Sequence, residues 1–231
     1  MAGQEARARR IVVVNPNSTV AVTDGIVDAV APLRFAGGPA IDCLTLAEGP
    51  PGIESQRDAD RVIGPLCDLV RREDNAADAF VVACFGDPGL HAARETTAKP
   101  VFGIAESAYR FALTLGDRFG VIAILSNSVA RQKRYVRQLA LQDRYAGSAA
   151  VGLGVTALDG DAVADRMVHV GRELTDRHGA DVLILGCAGM ARHRAAVESV
   201  LGVPVVDPCQ AGAADALAAV QFGYRQRPSA T

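Results

Sequence analysis

The sequence predicts an α/β fold of two similar, pseudo-two-fold related lobes, each with a mainly parallel sheet flanked by helices. Short apolar runs rich in Val and Ile alternate with longer segments whose apolar residues recur at helical spacing. This alternation is typical of βαβ units that build a parallel sheet. The runs are apolar throughout rather than at every second residue, as expected when helices cover both faces of a sheet.

Each predicted strand is a short apolar run bounded by residues that favour turns. The strands cover residues 11–15, 79–84, 100–104, 120–125, 151–155, 181–187 and 203–207. The predicted helices cover residues 19–31, 55–73, 106–115, 129–141, 161–178, 191–201 and 210–222. Pro32 is expected to end the first helix, and Gly179 to follow the fifth as its cap. The short run around Cys43 predicts a further strand at a sheet edge.

The two halves of the chain contain the same parts in the same order. In the first half IVVV leads into NPNS, and VVACFGDPG comes later; in the second half GVIAIL leads into SNS, and LILGCAGMA comes later. This repetition predicts two lobes with a cleft between them. We assign residues 11–105 plus 208–231 to lobe 1 and residues 106–207 to lobe 2. Residues 1–10 are predicted to form a flexible tail.

The composition excludes several classes of partner. The 231 residues are 49% hydrophobic and carry a net charge of −2, so neither nucleic acid nor an anionic membrane is an expected partner. No apolar run approaches the ~20 residues of a transmembrane helix, and no signal peptide is apparent, so we expect a cytoplasmic protein. The histidines lack metal-ligand spacing, and no metal site is expected.

The five cysteines are expected to be reduced thiols, because their number is odd and no CxxC spacing occurs. Two of them, Cys84 and Cys187, occupy equivalent positions at the end of a buried strand and before a Gly-containing turn. Ligands of open α/β sheets bind beyond the carboxyl ends of the strands, where both thiols would lie. A helix N-terminus is expected to lower the pKa of each thiol below its reference value of ~8.5.

Two such thiols, facing a small molecule from opposite lobes, suit cofactor-free racemisation at a carbon next to a carbonyl. One thiolate would remove a proton from one face, and the other thiol would deliver a proton to the opposite face. A single cysteine at a strand end is more often an ordinary core residue. The repetition of Cys84 and Cys187 at equivalent joints favours the chemical role.

Polar residues at the other strand ends allow both a structural and a functional role. Asn17 suits a turn and a helix cap, or an amide that holds a substrate oxygen or nitrogen. Ser126 and Ser128 allow the same two interpretations. Glu106 suits the first turn of a helix, with a role in the site as the alternative.

A Gly/Pro-rich loop at residues 48–58 is a candidate lid over the cleft. In that position it would bring Ile53 or Glu54 near the substrate.

Five motifs together resemble the hydantoin racemase branch of the aspartate/glutamate racemase superfamily, to which allantoin racemases belong. They are NPNST, ACFGDPGL, GIAESA, GCAGM and VPVVDP, in the family's order between residues 11 and 222. The resemblance implies an active site in the inter-lobe cleft, with no cofactor and no metal. It also implies a homo-oligomer and a small-molecule substrate with a hydantoin-type ring.

The resemblance assigns roles to residues at matching motif positions. Cys84 and Cys187 would be the catalytic acid/base pair on opposite faces of the substrate. Asn17 and the backbone after each cysteine would hold the ring's carbonyl and N–H groups, and the backbone residues are Phe85, Gly86, Ala188 and Gly189. Ser126-Asn127 stands where family members often have Thr-Thr, so the resemblance makes Ser126 a substrate-binding residue that keeps one side-chain hydroxyl, while the second hydroxyl of the pair is replaced by the amide of Asn127.

The function predicted from these residues is racemisation of 5-substituted hydantoins, with allantoin as one candidate substrate. Maleate isomerases and amino-acid racemases of the same superfamily are the alternatives among enzymes. Decarboxylases of the superfamily resemble the pattern with one cysteine instead of two. Outside enzymes, a non-catalytic small-molecule binding protein or a thiol redox protein would also have a cleft or paired thiols.

Overall fold

Two parallel four-stranded sheets form the centres of two lobes within the part of the chain that the computed structural model describes, residues 7–158, 160 and 162–226. Lobe 1 contains β1 (Arg10–Asn15), β2 (Ala40–Thr45), β3 (Ala79–Val82) and β4 (Val101–Gly103). Lobe 2 contains β5 (Phe119–Ala123), β6 (Tyr145–Ala150), β7 (Val182–Leu185) and β8 (Val205–Val206). The sheet orders are β2-β1-β3-β4 and β6-β5-β7-β8, so both lobes have one topology, and the predicted α/β fold is confirmed.

Helices flank both sheets. They are α1 (Val20–Val30), α2 (Gln56–Arg61), α3 (Ile63–Glu73), α4 (Leu90–Thr96), α5 (Ile104–Ala112), α6 (Ser126–Gln138), α7 (Ala162–Arg172), α8 (Arg194–Leu201) and α9 (Pro208–Phe222). The C-terminal helix α9 packs against β1, β3 and β4 of lobe 1 and against α5. None of the described helices is long and apolar enough to span a membrane.

The central strands β1, β3, β5 and β7 are buried on both faces, apart from the first residue of β1. Each of them lies between two neighbouring strands and under helices, which explains the continuous runs of Val, Ile and Leu. The edge strands β2 and β6 are partly exposed. The edge strand predicted around Cys43 is therefore confirmed as β2.

The strand predicted at residues 151–155 is wrong. The second strand of lobe 2 is β6, whose sequence YAGSAA lacks the β-branched residues of a buried strand. The first four residues of the run VGLGV that follows form a loop, and Gly152 adopts a positive φ of 75° that ends the extended conformation. Val151 in this loop and Val155 at the start of a 3-10 turn are apolar because both are buried in the core.

The helix predicted at residues 55–73 is two helices that meet at Val62. Pro65 explains the break, because its ring lacks an N–H and clashes with the carbonyl four residues earlier, on Arg61. The helix α4 was not predicted, since its seven residues are too few for a clear period. Asp161, the first residue of the predicted fifth helix, lies outside the described residues.

Two glycines in helix interiors are expected to respond in opposite ways to alanine. An added Cβ at Gly25 in α1 meets nothing within 4 Å, so Gly25→Ala should stabilise the protein by about 0.5–1 kcal/mol through helix propensity. At Gly212 in α9 the Cβ would lie 3.0 Å from side-chain carbons of both Ile104 and Val81. Overpacking there should outweigh the propensity gain and lower stability. Urea unfolding midpoints test this, and a midpoint that rises equally in both variants would contradict it.

Candidate active site

Cys84 and Cys187 line one cavity between the lobes, each two residues beyond the end of a central strand, β3 or β7. We call this space, about 30 Å³ in volume, the inner cavity. The two lobes share one topology, and β3 and β7 occupy equivalent positions in their sheets. The thiols that follow these strands therefore line the same cavity. This is the edge of a parallel sheet at which ligands bind, beyond the carboxyl ends of the strands.

A wider space of about 830 Å³ adjoins the inner cavity and opens to solvent, and we call it the outer cleft. The two spaces share Ile53, Cys84, Phe85, Gly86 and Arg131 as lining residues. A ligand bound at Cys84 therefore has room to extend outward. The inner cavity by itself holds no more than about one or two water molecules.

Most of the residues predicted for the site lie around the inner cavity. With the two cysteines it is lined by Asn17, Phe85, Gly86 and Ala188, and also by Ser128 and Ile53. Ser126 does not line it, because this residue is exposed on the first turn of α6. Gly189 lines a neighbouring pocket instead, while its backbone N–H contacts the sulfur of Cys187. Glu106 pairs with Arg94 and lies outside both spaces.

The amide of Asn17 combines the two roles that were predicted as alternatives. Its Oδ1 accepts hydrogen bonds from the backbone N–H of Thr19 at 2.9 Å and from Nδ2 of Asn15 at 3.2 Å. These bonds hold the turn after β1. Among the described residues the Nδ2 group of Asn17 donates no hydrogen bond, so it is available to a carbonyl oxygen in the inner cavity.

Desolvation dominates the electrostatics of both thiols. Burial raises the pKa of Cys84 far above its ordinary value; Cys187 and Asp87 raise it further, and Arg131 opposes the rise. Burial raises the pKa of Cys187 to about 11, against a lowering contribution from the N–H of Gly189. The expectation that helix N-termini lower the pKa of these thiols is therefore wrong in sign, because the loss of hydration outweighs the backbone dipoles.

The ionisations of the two cysteines are also coupled. A negative charge on Cys187 would raise the pKa of Cys84 further, and the interaction is mutual. The first ionisation of the pair thus disfavours the second. One thiolate beside one thiol is therefore the first ionised state of the pair as the pH rises.

Asp87 anchors the turn that carries Cys84. This buried carboxylate accepts hydrogen bonds from the backbone N–H groups of Ala105 at 2.8 Å and Glu106 at 2.9 Å, and from the hydroxyl of Tyr135 at 2.8 Å. Its own N–H donates to the carbonyl of Cys84 at 3.0 Å. The backbone of Asp87 has a φ of +48°, in the left-handed region that Asp adopts more readily than most residues other than glycine. Burial raises the pKa of this carboxyl to about 7.

The predicted lid joins the two lobes. Ile53 of this loop lines the inner cavity, and Glu54 accepts a hydrogen bond through Oε1 from the backbone N–H of Val155 in lobe 2 at 2.8 Å. Nδ2 of Asn127 donates to the carbonyl of Glu54 at 2.9 Å. The loop thus closes one side of the inner cavity with bonds to the opposite lobe.

Three polar or charged residues at or beside the inner cavity were not predicted from the sequence. Arg131 and Gln132 reach the inner cavity from α6, and Asp87 reaches the start of α5. Asp87 had a visible signal, as the acidic residue of a Gly-Asp-Pro-Gly turn next to a candidate cysteine. Arg131 and Gln132 had none, since a polar helix face looks the same whether it meets solvent or a cavity. Across residues 7–158, 160 and 162–226, no group of three or more His, Cys, Asp or Glu is arranged to hold a metal ion.

The raised pKa of Cys187 is open to a direct measurement. We expect the rate of alkylation of Cys187 by iodoacetamide to rise about tenfold per pH unit between about pH 8 and pH 10, because the thiolate fraction still increases over this range. The alkylation rate of an ordinary thiol levels off above its pKa of ~8.5. Mass spectrometry of the peptide that contains Cys187 gives the rate, and the urea-unfolded protein is the control. A plateau near pH 9 in the folded protein would refute the raised value.

Removal of the Asp87 acceptor should destabilise the protein. Asp87→Ala leaves three donors without a partner, of which the N–H of Ala105 is buried and those of Glu106 and Tyr135 are partly buried, and we expect a loss of about 2 kcal/mol in the free energy of unfolding. The exposed Asp143→Ala is the matched control. Tyr135→Phe should cost about 0.5–1.5 kcal/mol in the wild-type background and almost nothing in Asp87→Ala, because the bond is already gone. Equal Tyr135→Phe effects in the two backgrounds would contradict the assigned contact.

Comparison with known proteins agrees with this geometry. Residues 11–216 match the family model described as Asp/Glu/Hydantoin racemase. The chain is 36% identical over 220 residues to a hydantoin racemase of Paenarthrobacter aurescens, covering 94% of this chain and 93% of that protein. It is 37% identical over 219 residues to a hydantoin racemase of Pseudomonas sp. (strain NS671), covering 94% and 88%.

Among solved structures, an allantoin racemase from Klebsiella pneumoniae superposes with a TM-score of 0.90 at 30% identity, covering 95% of this chain and 91% of that chain. A glutamate racemase from Francisella tularensis shares the fold, with a TM-score of 0.64 at 16% identity over 97% of this chain and 85% of that chain. The family match and the identities extend over nearly the whole length. The chain belongs to the Asp/Glu/Hydantoin racemase family, and it is a racemase.

Proposed function

We propose that this protein racemises 5-substituted hydantoins by two-cysteine proton transfer at C5, without metal or cofactor. The observation that carries the proposal is that Cys84 and Cys187, from equivalent strand ends of two lobes, line the same inner cavity. The similarity to hydantoin racemases and to an allantoin racemase supports a hydantoin-type ring as the substrate. Allantoin is one candidate within that class.

The electrostatics of the thiol pair match the needs of a two-base reaction. One cysteine must be a thiolate that takes the proton from C5, and the other must be a thiol that gives a proton to the opposite face. Mutual repulsion supports this singly ionised state, since ionisation of Cys187 raises the pKa of Cys84. For the opposite enantiomer the two cysteines exchange roles.

The raised thiol pKa values also favour proton abstraction from carbon. A desolvated thiolate is a stronger base than a hydrated one, so each ionised site has more driving force to remove a weakly acidic C5 proton. The cost is a small thiolate population at neutral pH. Bound substrate would increase the thiolate population only if it stabilises the thiolate. In the protein itself, Arg131 already opposes the rise in the pKa of Cys84.

The polar groups of the inner cavity are complementary to a ring of alternating carbonyl and N–H groups. Nδ2 of Asn17 is an unused donor, and the buried Oε1 of Gln132 accepts no hydrogen bond within the described residues. The backbone N–H groups of Phe85 and Gly86 make no backbone hydrogen bond within the described residues either. Gly86 has a φ of +120° and open space where a Cβ would lie, which leaves room for close approach of a ligand. These donors would stabilise an enolate formed by loss of the C5 proton.

The inner cavity is smaller than a hydantoin ring, so the ring would occupy it together with part of the outer cleft. The C5 substituent would then extend along the shared wall toward solvent. Ile53 stands between the two spaces, and its loop would have to yield as the ring enters. The homo-oligomer implied by the family resemblance stays a prediction.

Serine substitution tests the two-base scheme. We expect Cys84→Ser and Cys187→Ser each to lower kcat/KM for inversion by about 10²–10⁴-fold, because a hydroxyl replaces the general acid/base group. Enantiopure 5-benzylhydantoin and enantiopure allantoin would be followed in D2O by circular dichroism and by deuterium uptake at C5. A variant with one thiol returns deuterium to the face from which the proton left, so residual exchange should proceed without inversion.

Cys43→Ser is the matched control, since this partly exposed cysteine of β2 lines neither the inner cavity nor the outer cleft. It should keep racemase activity. Full inversion by either Cys84→Ser or Cys187→Ser would refute the two-base scheme. Absence of both inversion and deuterium uptake with the wild-type protein on both substrates would refute the hydantoin assignment.

A further inference from the structure

The outer cleft carries a row of arginines next to the proposed catalytic site. Arg131, Arg134 and Arg137 recur at intervals of three along α6 and line one wall, and His91 lies among the remaining lining residues. Arg131 also lines the inner cavity, and it is the one charged residue that lines both spaces in the described part of the chain. A cation therefore stands where the ring site opens into the cleft.

The positive charge of this wall is not neutralised by ion pairs. Within the described residues, none of the three arginines lies within 4 Å of a carboxylate as a salt bridge. Arg131 donates one hydrogen bond, from Nη2 to Oγ of Ser128 at 3.2 Å, and Arg134 donates to Oε1 of Gln56 at 3.2 Å. A guanidinium has five N–H donors, so most of the donors of Arg131 remain available.

The carboxylates that act on Arg131, Asp58 and Glu54, and those that line the outer cleft, Asp60 and Asp87, are engaged with other donors. Oδ2 of Asp58 accepts from the backbone N–H and the hydroxyl of Ser55, at 2.9 and 2.7 Å. Glu54 accepts from Val155, and Asp87 accepts three hydrogen bonds at the start of α5 and from Tyr135. The fourth acidic group, Asp60, accepts from Nε2 of Gln56 at 2.8 Å.

Partial burial makes the unpaired cation costly. Burial lowers the pKa of Arg131 and the neighbouring Arg134 adds to this effect, while negative charge on Cys84, Asp58 and Glu54 opposes it. A cation that is partly withdrawn from water without an ion-pair partner is stabilised by an anionic ligand that brings its own charge. The planar guanidinium matches a carboxylate in particular, because it can donate two parallel hydrogen bonds to the two oxygens.

We infer that the outer cleft selects hydantoins whose C5 substituent bears a carboxylate, and that Arg131 binds this carboxylate as the specificity-determining residue. The inference rests on the proposed function, because it assumes that the ring lies at the cysteines. Because Gly86 and Arg131 line both spaces, a C5 substituent that extends from a ring in the inner cavity into the outer cleft passes both residues. Arg134 and Arg137 then add attraction at longer range, which weakens with salt.

Two substrates of equal size and different charge test the inference. They are enantiopure 5-(2-carboxyethyl)hydantoin and its neutral amide, 5-(2-carbamoylethyl)hydantoin, with kcat/KM measured from deuterium uptake at C5. We expect the wild-type protein to prefer the acid by about 10-fold or more, as for one charge-assisted hydrogen-bonded pair. Arg131→Gln should remove this preference, because kcat/KM for the acid should fall about 10-fold more than kcat/KM for the amide; a loss shared by both substrates reports the effect of Arg131 on Cys84.

Lys133→Gln is the matched control, because it removes one positive charge from an exposed position of α6 that does not line the cleft. This variant should keep the preference for the acid. Equal kcat/KM values for acid and amide in the wild-type protein would overturn the inference and leave the proposed function intact. Equal losses for acid and amide in Arg131→Gln would also overturn it, since Arg131 would then act on the ring or on Cys84. Absence of exchange with both substrates and with 5-benzylhydantoin would remove the proposed function, and the inference with it.

Discussion

Desolvation of two thiols in a single cavity is the constraint on which the proposed two-cysteine chemistry depends. Burial raises the pKa of both Cys84 and Cys187, and each negative charge disfavours the other. The site therefore carries at most one thiolate over the ordinary pH range, next to a thiol that keeps its proton. The same environment thus provides a base, the thiolate of one cysteine, and an acid, the thiol of the other, because the first ionisation suppresses the second.

The environment of the thiols depends in turn on contacts between the lobes. The shared sheet topology places the ends of β3 and β7 at the cavity. The loops near the cavity are held in place by further hydrogen bonds. Asp87 ties the Cys84 turn to the start of α5 and to Tyr135 of α6. The bond between Glu54 and the backbone of Val155 ties the loop of lobe 1 to lobe 2. The small inner cavity around the thiols thus depends on these few hydrogen bonds as well as on the apolar core.

The central strands were predictable and the edge of lobe 2 was not, for one physical reason. Strands such as β5 and β7 are buried on both faces and must be apolar at every position, which leaves a strong signal. The edge strand β6 is partly exposed along its whole length and tolerates Gly, Ser and Ala, so its signal is weak. The break at Val62 was visible in principle, because Pro65 cannot continue a helix that includes Arg61.

The sequence by itself determined the alternation of strands and helices, the repetition of the cysteine joints and the family resemblance, since these depend on residue types and their spacing. It also singled out Asn17, Phe85, Gly86 and Ala188, which lie beside the cysteines because they follow strand ends. Tertiary structure alone decided the ionisation of the thiols and the presence of Arg131 and Gln132 at the cavity. The reason for the first is that the desolvation of a thiol depends on neighbouring atoms from both lobes. The reason for the second is that a polar helix face lines a cavity only if the fold places it against one.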